Sequence, residues 1–394
     1  MRRAMAMVKY FQEYDFDLEV LCAGGEYPWI NLDHQTETPD IKVHRVDCGD
    51  LNHLFSPNYT NPALKLKTAF RAVFKTDYMG EWSNRACKKA LEIIRNRDID
   101  VVIITVPPFS QLSMIKSIRE NFQKVKIVAD LRDMFYSFRK GGLAHTLRRE
   151  ISIPKAKSRL RNADLVVTVS EGFTNKLVKA GFPAVTVMNG FDCPVAGDST
   201  YKMSNEFRIV HTGSFPSTGQ NPQFTLIAFD LTCKYSSDFA RDARLIFAGV
   251  DNDYIDSMTP ESCRRPNNIE ALGMLPHREA LELQRNADIN LLILTIPNNV
   301  GGKSVIPGKL FEYIAARRPI YANCESGICS EIIESNHLGH IRPNIPDEIC
   351  SGFFKMYKQW KRGELENQLS AETAGKFHFR NRIEEYANHL RGLF

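Results

Sequence analysis

The sequence predicts an α/β protein made of two domains, each built on a doubly wound parallel sheet. Short apolar runs rich in β-branched residues recur along the chain, as expected of strands that are buried on both faces. Stretches with helical spacing separate these runs, so that strand and helix alternate. The arrangement occurs twice in 394 residues, on either side of a polar, turn-rich segment at 193–206 that we interpret as the linker.

The first half contains six apolar runs that we predict to be strands, at 18–25, 41–46, 100–108, 125–133, 163–172 and 184–192. Helical spacing separates several of them, as in EWSNRACKKALEIIRNRD at 81–98 and EGFTNKLVKAG at 171–181. The chain opens on RRAMAMVKYFQEYDFD, a helix-like pattern, whereas a domain of this type normally opens on an apolar strand and a glycine-rich turn. We therefore expect the first strand of the N-terminal domain to be missing from this sequence.

The second half repeats the arrangement with five predicted strands, at 207–214, 243–250, 268–275, 287–295 and 318–324. Each strand leads into a helical pattern, for example HREALELQRNA at 277–287. The predicted domains are residues 1–195 and 206–375, and a last helix in 376–394 is expected to cross back to the first domain.

The composition is that of a globular protein, with 43% hydrophobic and 25% charged residues. Its nine cysteines form no C-x-x-C pair or regular framework, which argues against zinc knuckles and a disulfide scaffold and fits a reducing cytosol. No apolar run approaches the roughly 20 residues that span a bilayer, and the opening residues lack the pattern of a signal peptide. We therefore expect a cytoplasmic protein.

The net charge of +5 comes from the first half of the chain, where residues 1–200 hold 29 Lys and Arg against 23 Asp and Glu. The segment 139–161 has eight basic residues and one acidic residue, a density that attracts phosphates, anionic lipid or nucleic acid. LKLKTAFRAVFK at 64–75 has the pattern of an interfacial helix. Together the two segments suggest peripheral attachment to an anionic membrane. A solvated surface for the first and a core-facing helix for the second are equally good interpretations.

Several short motifs fail to match their full patterns. GGKS at 301–304 resembles the end of a phosphate-binding P-loop, but Pro297 stands where that motif needs its first glycine. Neither G-x-G-x-x-G nor G-x-S-x-G occurs, which argues against an ordinary dehydrogenase and against an α/β-hydrolase.

Three Asp-x-Asp triplets, at 15–17, 98–100 and 251–253, raise the alternative of a divalent metal. The first two precede strands, which places them at the wrong edge of a parallel sheet for a ligand. The third reads equally well as the N-cap of a helix. We therefore expect no obligatory metal.

A candidate anion site follows the fourth predicted strand of the second half. The loop IPNNVGGKSVIPG at 296–308 lies at the carboxyl end of that strand, where open α/β sheets bind ligands. The helix that begins at Gly308 presents the free N–H groups of its first residues, including Lys309 and Leu310, and the Lys309 side chain adds a positive charge for a phosphate. Glu312, one turn along, can accept hydrogen bonds from ribose hydroxyls. An exposed ion pair between Lys309 and Glu312 is the alternative interpretation.

A second turn of the same kind follows the first predicted strand of the second half. VHTGSFPSTGQNP at 210–222 places Gly213 and Ser214 at the turn, where such folds present backbone amides to a diphosphate. Two phosphate-binding turns in one half indicate a nucleotide ligand.

In these residues the chain resembles the group 1 (family four) retaining glycosyltransferases, whose GT-B architecture has two Rossmann-like domains facing each other across a cleft. The resemblance spans nearly the whole chain and rests on six segments in order: DLRD (130–133), VTVSEGF (167–173), VMNGFD (187–192), HTGSF (211–215), LGMLPHREALELQRNADINLLI (272–293) and GKLFEYIAARRPI (308–320). The resemblance implies that Glu312 binds the donor ribose, that the backbone of Gly213 meets the diphosphate, and that Met274 and Leu275 line the base.

The resemblance also implies the reaction and the ligands. A sugar is expected to pass from a UDP- or GDP-sugar to an acceptor hydroxyl, with retention at the anomeric carbon and without an obligatory metal. The expected acceptor is a saccharide or a lipid-linked saccharide, in the synthesis of a surface polysaccharide or glycolipid. No nucleic acid is expected as a partner.

The chain departs from the family pattern at two points. Ser304 stands where the first Glu of the E-x7-E motif would contact the donor sugar, and 215–222 lacks the Arg and Lys that many members carry there. We expect Lys309, helped by Lys303 or Arg132, to supply the positive charge instead.

Candidates for catalysis lie in DLRD, in the half where the acceptor is expected. Arg132 is a candidate for stabilising charge, and Asp133 for orienting or deprotonating the acceptor hydroxyl. Asp133 reads equally well as the N-cap of the next helix. Two other functions remain open: a nucleotide-sugar (hexosamine) 2-epimerase of the same fold, and a nucleic-acid or membrane-binding protein that uses the basic N-terminal half.

Overall fold

A computed structural model describes residues 2–24, 41–48, 77, 79–133, 154–197, 204–215, 220–261, 263, 267–295, 302–365 and 369–394. The chain divides into two compact units, the first made of Met1–Met188 with Arg382–Phe394 and the second of Asn189–Asn381. The predicted interfacial helix at 64–75 and most of the basic segment at 139–161 lie outside the described residues.

In the first unit, the described strands form two parallel sheets. They are β1 (Glu19–Gly24), β2 (Lys42–Asp47), β3 (Val101–Val106), β4 (Lys126–Leu131), β5 (Leu165–Thr168) and β6 (Ala184–Thr186). β1 pairs with β2, and the other sheet has the order β3-β4-β5-β6. Each strand overlaps an apolar run that was predicted to be a strand, because strands buried between helices need apolar side chains on both faces.

The described helices of the first unit are Arg2–Tyr10, Gly80–Asn96, Leu112–Asn121, residues 154–160 and Glu171–Lys179, and single 3-10 turns lie at Phe11–Tyr14 and Phe109–Gln111. The second of these helices shows why its segment folds as predicted. Trp82, Ala86, Ala90 and Ile94 recur at four-residue spacing and are all buried. Their common face packs on the sheets, and most polar residues between them face outward; buried Ser83 hydrogen-bonds to Ser110.

A buried ion pair joins the first helix to β4. Asp130 is a residue of β4 rather than of the loop after it, and its carboxylate is fully buried. Arg3 donates to that carboxylate at 2.8 Å and to the main-chain oxygen of Val187 at 2.9 Å. Asp130 therefore holds the first helix in place, so only the last two residues of DLRD are left for a role on the acceptor side.

In the second unit, six parallel strands form one sheet. They are β7 (Phe207–Thr212), β8 (Ala243–Ala248), β9 (Ile269–Ala271), β10 (Ile289–Leu294), β11 (Ile320–Cys324) and β12 (Gly339–Arg342). Their order across the sheet is β12-β11-β10-β7-β8-β9, the arrangement of a doubly wound sheet whose switch point lies between β7 and β10. The sequence did not predict β12, because this strand is short and contains two polar residues among four.

The helices of the second unit cover both faces of its sheet. They are Gln223–Tyr235, Ser237–Asp242, Asn252–Met258, His277–Arg285, Gly308–Ala316, Ile328–Ser335, Pro346–Lys361 and Ala371–Gly375, with a 3-10 turn at Gly302–Ser304. The last helix of the chain, Phe379–Arg391, begins in the second unit, and its residues from Arg382 onward belong to the first. Within the described parts of the chain, no helix combines the length and the hydropathy needed to cross a bilayer.

Side chains replace sheet hydrogen bonds at the switch point. β7 and β10 pair over only two residues of each strand. Beyond them, the Tyr313 hydroxyl accepts a hydrogen bond from the Thr212 N–H at 2.9 Å and donates one to the Leu291 carbonyl at 3.3 Å. His211 reaches the same carbonyl from Nδ1 at 2.9 Å. The backbone groups stay satisfied although the strands part, which leaves the carboxyl edge of the sheet open for a ligand.

We predict that Tyr313→Phe lowers the free energy of unfolding by about 1–3 kcal/mol, because the buried Thr212 N–H loses its acceptor. Urea unfolding followed by circular dichroism measures the change. Tyr235→Phe is the matched control, since the Tyr235 side chain is 76% exposed and its change should stay within about 0.5 kcal/mol. Equal midpoints for the two variants would show that Tyr313 does not hold the parted strands.

Candidate functional site

A glycine turn follows β7 at the carboxyl edge of the second sheet. Gly213 has φ +102°, a backbone conformation that side chains other than glycine rarely adopt, and its N–H donates to the Ala248 carbonyl at 2.6 Å. Gly249, with φ +109°, lies directly behind it. A Cβ on Gly249 would lie 2.7 Å from the Gly213 carbonyl carbon and 3.0 Å from the Ser214 nitrogen. The two glycines therefore let two chain segments touch, and Ser214 is exposed beyond them.

Lys309 brings its ammonium group to this turn. It is the second residue of the helix Gly308–Ala316, whose N-cap Pro307 provides no side-chain cap. A Cβ on Gly213 would lie 3.1 Å from Lys309 Nζ, so the two predicted anion-binding elements are in contact. Free N–H groups at a helix start, a glycine turn and a cation in one place form a site for a phosphate.

His211 is the hydrogen-bond partner of Lys309. Its Nε2 lies 3.0 Å from Lys309 Nζ, and its Nδ1 lies 2.9 Å from the Leu291 carbonyl. Since a carbonyl only accepts, Nδ1 carries the proton and Nε2 accepts from the ammonium group. The sequence reasoning did not select His211, because a histidine inside a buried strand looks the same whether it fills the core or holds a functional group.

Burial changes the protonation of both side chains. Burial lowers the pKa of Lys309 to about 8. Burial, followed by the neighbouring Lys309 charge, lowers the pKa of His211 well below its usual value. At pH 7 the pair therefore consists of a charged lysine and a neutral histidine.

Glu312 lies one turn along the same helix and is only 8% exposed. One carboxylate oxygen lies 3.3 Å from His277 Nε2, and the other accepts from Gln284 Nε2 at 3.3 Å. The same Gln284 nitrogen donates to Thr212 Oγ1 at 2.8 Å, which links Glu312 to the residue just before the glycine turn. Glu312 and Lys309 are both largely buried, and Lys309 donates to His211, so the alternative of an exposed ion pair is wrong.

The predicted base-lining residues follow β9. Met274 is 80% exposed and Leu275 is half-buried. They directly precede the helix His277–Arg285, which carries both Glu312 partners, so the structure brings this loop toward the Glu312 end of the site. Leu310 is fully buried in the core, and what it and Gly308 offer to a ligand is backbone alone.

A stack of aromatic rings beside the site was not predicted. Phe215 stacks on His211 with ring centres 4.6 Å apart, and Tyr254 stacks on Phe215 at 5.8 Å. Lys309 Nζ lies 5.8 Å from the centre of the Phe215 ring. The aromatic residue after TGS was visible in the sequence, but Tyr254 is brought to it only by the pairing of β7 with β8.

The other two predicted cations, Lys303 and Arg132, have partners and surroundings of their own. Lys303 is exposed on the 3-10 turn Gly302–Ser304, where its backbone packs against Gly327, and Ser304 is 5% exposed. Arg132 belongs to the first unit and donates to the Pro107 carbonyl at 2.7 Å. Among the described residues, only Lys309 places an ammonium or guanidinium group against the glycine turn.

Asp133 ends a described segment of the first unit. Its side chain is exposed to solvent, while the protein around the carboxyl raises its pKa by desolvation and Arg132 partly lowers it. The helix that Asp133 was predicted to cap lies outside the described residues.

The third Asp-x-Asp triplet caps a helix. Asp251 is the N-cap of the helix Asn252–Met258, and its carboxylate accepts from the Tyr254 N–H at 2.9 Å. In the described part of the chain no three His, Cys, Asp or Glu side chains cluster as metal ligands would. The triplet is thus accounted for by helix capping.

Solved structures match nearly the whole chain, although no family model and no curated protein does. A sucrose-phosphate synthase from Thermosynechococcus elongatus aligns with a TM-score of 0.65 and 12% identity over 98% of this chain and 92% of that one. HepE of Anabaena, in complex with UDP and glucose, aligns with a TM-score of 0.64 and 13% identity over 99% and 95%. A glycosyltransferase from Rickettsia africae ESF-5 aligns with a TM-score of 0.61 and 15% identity over 100% and 94%.

At sequence identities of 12%, 13% and 15%, the structural similarity shows a shared fold. The chain has the fold of these proteins, an α/β architecture of two Rossmann-like domains with parallel sheets. The fold class predicted from the sequence is therefore confirmed.

The buried charge of Lys309 gives a prediction for stability. A lysine whose pKa falls from 10.5 to about 8 on folding destabilises the protein wherever it stays charged. Lys309→Met should therefore raise the free energy of unfolding at pH 7 by on the order of 1–3 kcal/mol. The advantage should be complete below about pH 8 and should vanish as the pH rises toward 10.5.

Urea unfolding at several pH values measures this difference. Lys303→Met is the control, because the exposed Lys303 side chain should change stability by no more than about 0.5 kcal/mol at any of these pH values. A Lys309→Met variant that is less stable than the wild type at pH 7 would contradict the prediction.

Proposed function

We propose that the protein is a glycosyltransferase that moves a sugar, with retention, from a nucleoside-diphosphate sugar to an acceptor hydroxyl. The observation that carries the proposal is the contact between Gly213 and Lys309 at the switch point of the second sheet. A glycine turn, a helix start and a buried ammonium group meet there, and among the described residues no carboxylate forms an ion pair with that ammonium group. That combination suits a ligand with two linked phosphates.

The ribose is proposed to bind at Glu312. Its carboxylate contacts His277 and accepts from Gln284, and a carboxylate has several lone pairs with which to accept from vicinal hydroxyls. Gln284 connects it to Thr212, so the ribose and diphosphate positions are set by one hydrogen-bonded group. Met274 and Leu275 are then proposed to line the base.

UDP is the nucleotide that we favour. HepE was solved with UDP, with UDP and glucose, and with UDP-glucose, and this chain aligns with it along most of its length. GDP is the alternative within the same proposal. An epimerase, one of the two other functions that the sequence leaves open, would differ from a glycosyltransferase in needing no acceptor.

Catalysis is proposed to depend on charge stabilisation in the second unit. Negative charge grows on the diphosphate as the sugar departs, and the Lys309 ammonium and the Gly213–Ser214 backbone are already in place to meet it. We propose that this set acts without an obligatory metal. In the first unit, Arg132 and Asp133 are proposed to act on the acceptor, with Asp133 orienting or deprotonating its hydroxyl.

The acceptor is proposed to be a saccharide or a lipid-linked saccharide of surface polysaccharide or glycolipid synthesis, in the cytoplasm at the inner face of the membrane. The basic segment 139–161 and the segment 64–75 support this through their charge and apolar pattern. Co-sedimentation with liposomes tests it, since attachment must depend on anionic lipid and weaken with salt.

A panel of nucleotide sugars tests the proposed class. We expect one UDP- or GDP-sugar to raise the melting temperature, because a ligand that binds only the folded state stabilises it. Free nucleoside diphosphate should then be released only when an acceptor is added, with no change on addition of a chelator. Release without acceptor would favour the epimerase, and salt-dependent DNA binding with no response to any nucleotide sugar would favour a nucleic-acid-binding protein.

Two single substitutions test which part of the nucleotide each binding residue contacts. Glu312→Ala should weaken binding of both the nucleoside and the nucleoside diphosphate about ten- to a hundredfold, since a hydrogen bond to a charged group contributes roughly 1.5–3 kcal/mol. Lys309→Ala should weaken chiefly the diphosphate and should also lower turnover, because the charge it meets grows in the transition state. Isothermal titration with both ligands measures the difference.

The controls are Glu279→Ala, an exposed carboxylate on the helix that carries His277, and Lys355→Ala, an exposed lysine on the helix Pro346–Lys361. Both should bind as the wild type does. If Glu312→Ala and Lys309→Ala also bind as the wild type does, with unchanged circular dichroism, the nucleotide site lies elsewhere.

A further inference from the structure

We infer that His211 is a positioning residue, which holds the Lys309 ammonium group at the diphosphate site by accepting one of its hydrogen bonds at Nε2. This inference rests on the proposed function and deepens it, because it assigns how the charge that meets the diphosphate is kept in place.

The imidazole of His211 is fixed in both position and tautomer. The ring is fully buried, and its Nδ1–H donates to the Leu291 carbonyl at 2.9 Å. Phe215 covers one face, with the two ring planes 8° apart and their centres separated by 4.6 Å. The hydrogen bond and the stacking restrict rotation of the ring, and its Nε2 lone pair is directed at Lys309 Nζ, 3.0 Å away.

A neutral acceptor orients the Lys309 ammonium group without neutralising its charge, as a carboxylate would. The ammonium group has three N–H donors, and a single hydrogen bond to His211 fixes its direction while leaving the others for a ligand. A carboxylate at the same position would form an ion pair and cancel the positive charge before any ligand arrived. Since His211 stays neutral, Lys309 keeps its full charge toward Gly213.

Gly213 leaves space for a ligand next to the Lys309 ammonium group. Lys309 Nζ lies 3.0 Å from His211 Nε2, and the position that a Cβ on Gly213 would occupy is 3.1 Å from Nζ. The absence of a side chain on Gly213 leaves room for phosphate oxygens to approach both the turn and the lysine.

Among the described residues, the ionisable groups that share the helix of Lys309 or the aromatic stack have partners other than Lys309. Glu312 and Tyr313 share its helix, but Glu312 contacts His277 and Tyr313 contacts the Thr212 N–H. Burial raises the pKa of Tyr313 to about 12, and Tyr254 lies beyond Phe215 in the aromatic stack. A titration near pH 8 that affects diphosphate binding alone is therefore assigned to Lys309.

Two variants of His211 test the inference in the full chain. His211→Phe keeps a flat ring against Phe215 but removes the lone pair, and His211→Gln offers a side-chain oxygen as a replacement acceptor. UDP and uridine are titrated calorimetrically into the wild type and both variants from about pH 6.5 to pH 8.5, a range that includes the lowered pKa of Lys309 and stays below the pH at which the uracil ring loses its proton. Uridine lacks the diphosphate and reports on the ribose and base positions alone.

In the wild type, UDP affinity should fall as the pH rises through about 8, while uridine affinity stays constant. His211→Phe should move this midpoint to lower pH by about one unit or more, because the charged form of Lys309 loses its hydrogen bond. It should also weaken UDP at neutral pH by about tenfold and leave uridine unchanged. His211→Gln should restore part of both effects.

The outcomes separate this inference from the function on which it rests. A wild type that binds neither UDP nor GDP nor uridine would overturn the nucleotide site itself. The positioning role alone would be overturned by a different result. In that case the UDP affinity of the wild type has its pH midpoint near 8, and His211→Phe has the same midpoint and the same affinity. A variant that loses UDP and uridine affinity in equal measure would also overturn it, since His211 would then support the unit as a whole.

Discussion

The parting of β7 from β10 is the constraint on which the site depends. In a doubly wound sheet the two strands at the switch point lead to helices on opposite faces, so they must separate, and backbone groups that would pair in a continuous sheet are left over. Here Tyr313 and His211 satisfy them from their side chains. The same two residues also define the site, because Tyr313 belongs to the helix that carries Lys309, and His211 holds the Lys309 ammonium group directly.

The site conflicts with local stability in several places. Lys309 carries a charge into a buried position, two glycines adopt positive φ so that chain segments can touch, and the Glu312 carboxylate is nearly enclosed. Burying the charged groups costs desolvation energy, and glycine loses more conformational entropy on folding than any other residue. Features of this kind are expected where a protein binds a charged molecule, because the interactions that the ligand completes are incomplete without it.

The two units use similar sequence patterns for different purposes. Asp130 sits near the end of a strand, as a functional carboxylate would, yet Arg3 encloses it, and the pair holds the first helix. Asp133, three residues on, remains exposed. In the second unit, 215–222 lacks the Arg and Lys that many members of the resembled family carry there; Phe215 follows the glycine turn, and Lys309 brings an ammonium group to it. A motif therefore indicates where a site lies, but not which of its members are free to act.

The sequence by itself determined the strands, most of the helices and the two turns of the candidate site, because hydrophobic periodicity, glycine turns and helix starts are local properties that a short segment carries with it. Short β12 was the exception, since four residues with mixed polarity carry too little periodicity. Only the tertiary structure decided that Gly213 touches Lys309, that His211 and Gln284 hold the two charged side chains, and that Tyr254 joins the aromatic stack. These contacts join residues far apart in the chain, and which residues meet depends on strand order, on the point where two strands part and on the packing of helices over the sheet. None of these can be read from one segment at a time.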